Sequence, residues 1–532
     1  MADRVEALGI FPTYFSYKGE VVRPPDSTIE AFVKAMEGDR PHRVVTPRRE
    51  GGAARCAPPP RHAWGWAVQV YAVRSQDSWG IGDFADLRAL GRWATRIGAS
   101  VILISPLGAQ PPTPHQEPCP YYSSSRRFLN LLYLRIEEIP GAERCVDELR
   151  PLRDQALALN RERLIDHDAV FRIKSAALEI VHRAEPDPPG MAAWVTSQGR
   201  ALRDFAAFEV QQAGAENDAG AIAFREWIQF HLQQQLARAA SEIALIADVP
   251  VGFSSGGFDA WRWRELMAPG VRVGAPPDFF FPDGQDWGMP AFDPWKLAEA
   301  DFEPFRDAIA AVAAHAGGLR LDHVMSLFRL FWIPTGATAA DGAYVRYPTA
   351  PLFHILADVS EKTGAFVIGE DLGLVEPSVR LAMRRRRALG YRLMWFEDLP
   401  PDQWPRDSVA AIGTHDLPTV AGIWNLSEPD QRHHHLRQRL VDATHLPDGT
   451  DAIEVAVQAY TRLATATSRI ALASLEDALG VEERVNVPGT TSERPNWRLA
   501  LPFTVEDIER AVGPARIAGV MKAAGRASKT AR

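Results

Sequence analysis

From Trp64 onward, short apolar runs rich in β-branched residues alternate with stretches of helical periodicity. The runs are "WAVQVYAV" near residue 70, "SVILISP" at 100–106, "IALIADVPV" at 243–251, "GLRLDHV" at 318–324, "AFVIGEDLG" at 365–373, "YRLMWFE" at 391–397, "VAAIGTHD" at 409–416 and "RVNVPGT" at 484–490. Each predicts a buried strand. Amphipathic stretches such as "DFADLRALGRWATRIG" and "PSVRLAMRRRRALG" lie between most of them. Eight buried strands with intervening helices are the requirement of an α/β fold of the (β/α)8 TIM-barrel type. A doubly wound open sheet is the alternative, but no Gly-rich phosphate turn follows the first strand.

The spacing of the runs is uneven. The long interval between the second and third holds helical segments such as "AAFEVQQAGAENDAGAIAFREWIQF", which predicts helical insertion subdomains at about 107–240. Ahead of the barrel, "TIEAFVKAMEG" carries Ile29, Phe32, Val33 and Met36 at helical spacing. The Arg-, Gly- and Pro-rich stretch from Arg48 to Arg61 reads as a linker. Residues 1–60 are therefore expected to form a small N-terminal helical extension and linker, and 61–532 the barrel.

Composition narrows the classes of function. Of 532 residues, 59 are Lys or Arg and 67 are Asp or Glu, a formal net charge of −8. No global basic field draws the chain to nucleic acid or to an anionic membrane. Three cysteines are too few and too scattered for a disulfide framework or a zinc site. The N-terminal "MADRVEALGIF" has charges where a signal peptide needs an apolar run, so a cytoplasmic location is expected. Fifteen Trp residues offer flat faces of the kind that stack on sugar rings, although core packing accounts for most such residues.

The chemistry gathers at strand ends. In a (β/α)8 barrel the active site lies at the C-terminal ends of the strands, and four runs end in acids: Asp248, Asp322, Glu370 with Asp371, and Asp416. Two carboxyl groups suffice for glycosidic chemistry, roughly 5 to 5.5 Å apart where configuration is retained. Asp322 fits the nucleophile, because Arg320 lies on the same face and is expected to hold it ionised. Glu370 fits the acid and base, its apolar approach raising its pKa. Asp416, beside His415, is placed to hydrogen-bond sugar hydroxyls.

The segments "LRLDH", "VIGEDLG" and "GTHDLPT", in this order, resemble the catalytic strand motifs of the 4-alpha-glucanotransferase (amylomaltase, disproportionating enzyme) family of the alpha-amylase clan. "SWGIGDFADL", "PYYSSSRRFLN", "GAPPDFFFPDGQDWGMPAFDP" and "VPGTTSERPNWRL" are similar to further segments of that family, over roughly residues 64–502. The resemblance implies Asp322 as nucleophile, Glu370 as acid and base and Asp416 as transition-state stabiliser. It implies an active-site loop at about 254–297, with Asp278, Phe279, Phe280, Gln285, Asp286 and Trp287 on the glucan. Tyr121, Asp248, Trp261, His323, Asp371, Asn496 and Trp497 are further expected substrate-binding positions. Malto-oligosaccharides and α-1,4-glucans are the implied substrates, with no cofactor and no metal.

Other signals are set aside. The three histidines His433–His435 point in different directions from a helix and read as a solvated face rather than a metal site. The expected activity is transfer of α-1,4-glucan segments by a retaining double displacement. The rivals are an α-1,4-glucan hydrolase on the same barrel and a non-catalytic glucan-binding protein.

Overall fold

The computed structural model describes residues 2–37, 54–214, 218–278, 281–373, 375–427, 431–490 and 493–527. Eight parallel strands form its centre: β1 (Ala63–Val68), β2 (Val101–Ile104), β3 (Ala244–Val249), β4 (Gly318–Leu321), β5 (Phe366–Gly369), β6 (Gly390–Leu393), β7 (Ser408–Ala411) and β8 (Ile470–Ser474). Each pairs with its neighbours in chain order, and β8 pairs back to β1. The ring closes between β5 and β6, where Leu389 N–H donates to Val367 O at 2.9 Å and Gly369 N–H to Leu389 O at 2.8 Å. The result is the TIM barrel.

Seven of the eight runs lie on barrel strands, and one does not. "RVNVPGT" forms no strand; it runs as a loop along the barrel mouth, and the eighth strand is "IALAS". Ala and Leu favour helix when read alone, so a fully buried strand built of them has no distinctive pattern. The first strand also begins earlier than the run near residue 70, whose Val70–Ala72 portion is a short 3-10 turn.

Side-chain alternation divides the barrel wall into two faces. Val101, Leu103, Ile246, Phe366, Ile368, Tyr391, Leu393, Val409, Ala411, Ile470 and Leu472 fill the interior as one cluster. Ile102 and Ile104 point outward to the surrounding helices. Helix Phe84–Arg96, opened by a reciprocal Asp83/Asp86 cap, brings Trp93 to stack on Trp66 of β1, ring centroids 5.7 Å apart. After β6 there is only the short turn Pro401–Gln403 in place of a long helix.

Between β2 and β3 the chain inserts four helices (Val146–Leu159, His167–Ala184, Met191–Gln198 and Arg200–Gln212) before Ala219–Ala240, which packs along Phe84–Arg96. The stretch expected as a loop at about 254–297 is more ordered than that. It comprises helix Phe258–Arg262 and an antiparallel hairpin of Met267–Ala275 with Gln285–Phe292, with loop kept at 254–257 and at the described residues of the hairpin tip. Strands Arg329–Pro334 and Ala343–Arg346 extend the hairpin into a four-stranded side sheet.

At the N-terminus, helix Asp26–Glu37 seats Phe32 edge-on against Trp332 of that sheet at 5.5 Å. Residues 48–53 of the expected linker lie outside the described residues.

Candidate active site

Strand register brings the first two acids together. Leu321 of β4 pairs with Gly369 of β5, so one residue further on Asp322 stands opposite Glu370. Neighbouring strands lie about 4.7–4.9 Å apart, close to the separation a retaining carboxylate pair uses. Glu370 N–H still donates to Leu321 O at 3.0 Å, and Asp322 N–H to Val249 O at 3.1 Å, which fixes both backbones at the strand tips. Ile368 points into the barrel, and Glu370 shares its phase.

Arg320 lies one step below, 3% exposed. Its Nη1 donates to both Asp248 oxygens, at 2.7 and 2.6 Å, and to Asp322 Oδ1 at 3.2 Å. Tyr121 Oη donates to Asp248 Oδ2 at 2.5 Å. One guanidinium thus serves a crowd of carboxylates. Burial, with Asp248 and Glu370 nearby, lifts Asp322 to about 7 against the pull of Arg320. Arg320 pulls Asp322 toward the ionised form, but burial and the neighbouring acids oppose it, and the two shorter contacts of Arg320 go to Asp248.

Burial also raises Glu370 above the usual carboxyl range, although two backbone donors oppose it, His323 N–H at 2.9 Å and Leu372 N–H at 3.1 Å. The two facing acids retain a proton to higher pH than isolated carboxyls do. His323 supplies its donor because the strand has already ended: its φ of 45° turns the chain into the left-handed region. Its ring meets Trp287 edge-on at 5.5 Å, and burial lowers its pKa to about 4, so it is neutral at pH 7.

Asp416 sits beyond β7 on the same rim. Burial raises its pKa, but His415 Nε2 at 3.4 Å and Asn486 Nδ2, donating to Oδ1 at 2.6 Å, outweigh this and bring it to about 2. Arg484 Nη2 donates to its backbone carbonyl at 2.5 Å. The rings of Tyr121, His415 and Trp497 lie 5.0 to 5.4 Å apart and close one wall.

These groups line a single cleft of about 2300 Å³. Tyr121, Arg320, Asp322, His323, Glu370, His415, Asp416, Asn496 and Trp497 are on its surface, as are Asp278, Phe281, Gln285 and Trp287 from the hairpin. Asn496 spends its amide on the loop itself, bonding Val487 N–H, Thr490 O and Thr490 Oγ1.

Four expected positions do not reach the cleft surface. Asp248 lies beneath it, bonded to Arg320 and Tyr121. Asp371 alternates to the outer face, 1% exposed, where it accepts from Tyr391 N–H at 2.6 Å, Arg392 Nη1 at 3.1 Å and Arg380 Nε at 3.0 Å. Asp286 pairs with Arg272 at 2.6 Å. Trp261 packs against Phe208 and Phe258 away from the cleft and is 40% exposed. Phe279 and Phe280 lie outside the described residues.

Sequence reasoning missed Asn486, Arg484, Arg329 and His433, all on the cleft wall. His433 is 7% exposed rather than part of a solvated face. Asn486 lies within the very run mistaken for a strand, and the segment is half-buried along the barrel mouth.

Comparison with known proteins decides the family. The 4-alpha-glucanotransferase family model matches residues 68–221 and 212–504. The chain belongs to the 4-alpha-glucanotransferase family. This 4-alpha-glucanotransferase is 37% identical over 568 residues to the 4-alpha-glucanotransferase of Mycobacterium tuberculosis, covering 90% of this chain and 77% of that one. It is 31% identical to the Haemophilus influenzae enzyme of the same name, over 83% of this chain and 76% of that one. The amylomaltase of Corynebacterium glutamicum superposes on the transferase with a TM-score of 0.87 at 25% identity, over 98% of this chain and 99% of that one. The fold is also that of the Streptococcus agalactiae amylomaltase solved with acarbose, TM-score 0.72 at 18% identity, over 88% and 100% of the chains. The transferase acts on glucans.

Proposed function

We propose that this glucan transferase works by retaining double displacement, with Asp322 as nucleophile, Glu370 as acid and base and Asp416 as the group that grips the reacting sugar. The observation that carries the reading is the register that sets Asp322 opposite Glu370 at adjacent strand tips. In the first step Asp322 attacks the anomeric carbon and the glycosidic C–O bond breaks. The proton of Glu370 passes to the departing 4-oxygen. In the second step Glu370, now a carboxylate, takes the proton from the 4-hydroxyl of an acceptor glucan. That oxygen attacks the anomeric carbon, an α-1,4 bond forms, and Asp322 is released.

Substrate in the cleft requires the shared proton on Glu370 and the charge on Asp322. Arg320 favours this arrangement, being 3.2 Å from Asp322 Oδ1. Asp416, held low by His415 and Asn486, is an anion throughout and a strong acceptor for sugar hydroxyls. Transfer rather than hydrolysis is assigned to the hairpin tip, where Phe281 and Trp287 favour a sugar over water.

Incubation with maltotriose tests the reading. A ladder of longer oligosaccharides with free glucose is expected, and a product set that only shortens would return the chain to the hydrolase reading. Cys56, Cys119 and Cys145 are free, and no helix among the described residues is long and apolar enough to cross a membrane. The free thiols agree with our placing the enzyme in the cytoplasm.

A further inference from the structure

The cleft is larger than the roughly 300–1,000 Å³ of an ordinary small-ligand pocket, and one part of its wall comes from an unexpected place. Phe15, Ser16 and Tyr17, near the N-terminus, line the same cleft as the catalytic acids. They belong to a hairpin in which Tyr14 pairs with Val22 and Phe15 with Val21.

Alternation splits this hairpin into an anchor and a face. Tyr14 is 6% exposed and packs edge-on against Phe331 at 5.7 Å and Tyr344 at 5.5 Å, which fixes the hairpin to the side sheet. Phe15 is 70% exposed and its cross-strand partner Val21 64%, with Tyr17 at 37%. The turn is held in shape: Ser16 Oγ accepts from Lys18 and Glu20 N–H, both at 3.2 Å, and Gly19 takes the positive φ of 79° that the turn needs. A rigid hairpin that presents aromatic faces to a cleft loses little conformational freedom when a ligand stacks on it.

Residues that line the cleft lie between the hairpin and the chemistry. Glu370 accepts from His323 N–H, and the His323 ring meets Trp287. Further along the cleft, the Arg329 guanidinium lies over the Tyr344 ring at 4.0 Å, and Tyr344 supports Tyr14. Arg329 and Tyr344 line the same cleft as Phe15 and the catalytic acids.

We propose that the hairpin face of Phe15 and Tyr17 is a distal stacking subsite for α-1,4-glucan chains, which favours long substrates over short ones. The proposal rests on the glucan-transferase reading of the cleft. Its occupant is a glucan because the face is continuous with the cleft that holds the transferred chain, and exposed aromatic planes suit the apolar faces of glucose rings.

The test compares kcat/KM for a long maltodextrin with that for maltotriose, in the wild-type enzyme and in Phe15→Ala/Tyr17→Ala. The long-to-short ratio is expected to fall about fivefold to tenfold in the double variant, on the order of one aromatic stacking contact. The conservative Phe15→Trp is expected to keep the ratio at or above the wild-type value. An unchanged ratio in the double variant, with an unaltered melting temperature, would overturn the subsite. If the wild-type enzyme itself formed no ladder from maltotriose, the parent reading would fall instead, so the two failures are separable.

Discussion

The two shortest contacts of Arg320 go to Asp248, not to Asp322, and this ion pair sits under the floor of the cleft. Asp248 is thereby the counter-charge that allows an arginine to be buried in the barrel, while Tyr121 satisfies the same carboxylate from the other side. Removing it leaves Arg320 with Asp322 as its nearest anion.

Asp248→Ala is expected to destabilise the fold by about 3–5 kcal/mol, the usual cost of stranding one member of a buried ion pair. Urea unfolding measures this. The milder Asp248→Asn removes a negative charge that raises Asp322 and frees the guanidinium for it. The acid limb of kcat/KM in this variant is therefore expected to move to lower pH, an effect that a merely structural role for Asp248 would not produce. A limb that stayed in place would mean that Asp248 does not control the charge of the nucleophile.

Asp371 offers the opposite case, an acid beside the catalytic glutamate that serves the fold. It joins Arg380, Arg392 and the start of β6 on the outer face of the barrel. Asp371→Ala is expected to lower stability by about 1–3 kcal/mol, because it leaves the buried Tyr391 N–H without its acceptor and Arg392 with Glu397 alone as its anion. In the folded fraction, measured below the melting transition, KM for maltotriose should change less than twofold. A large rise in KM with normal stability would restore Asp371 to the substrate.

The contrast between Glu370 and Asp371 shows how far the chain could be read. Acids at the tips of apolar runs were legible because a buried strand must end before it can afford a charge, and Asp322, Glu370 and Asp416 all fell at such ends. Which acid faced inward was read only for Glu370: Asp371 was expected on the substrate as well, and the inward placement of Ile368 in the structure is what turns Asp371 to the outer face. The partner of Arg320 was not. Asp248 and Asp322 are both within its reach, and only the pairing of Arg320 with Asp248 across β3 and β4 decides between them. The eighth strand was hidden for another reason: in "IALAS" Ile470 and Leu472 face the interior while Ala471 and Ala473 face the helices, and this mixture leaves no β-branched pattern. The surface Trp261 occupies was not legible, because an aromatic between Ala260 and Arg262 does not say which way it faces.

Glu370→Gln keeps the shape of the side chain but removes the proton donor, and its amide nitrogen replaces one of the two oxygens that accept from His323 and Leu372 N–H. Turnover of natural glucan donors is expected to fall by about 10²–10⁴, the usual weight of general acid–base catalysis. Donors with an activated leaving group need no protonation, so formation of the glycosyl enzyme from them should be much less impaired. Burst kinetics with such a donor provide the measurement. Equal losses across leaving groups would remove Glu370 from the acid role.

Asp322 carries the cost of being a nucleophile in a crowded, buried site. Its folded pKa of about 7 lies above its ordinary value of 3.8, so the folded state binds its proton more tightly than the unfolded chain does. The favourable contribution is complete below about 3.8 and is lost as pH rises through about 7. Asp322→Asn imitates the protonated form at every pH, and Arg320 keeps its stronger partner, Asp248. At pH 8 the variant is therefore expected to be more stable than the wild type by about 1–3 kcal/mol, an advantage that shrinks steadily toward pH 4. Its transferase activity should be absent throughout. Chemical unfolding of both proteins across this range provides the check. A variant less stable than wild type at pH 8 would mean that Arg320 stabilises the ionised nucleophile more than burial and the neighbouring acids oppose it.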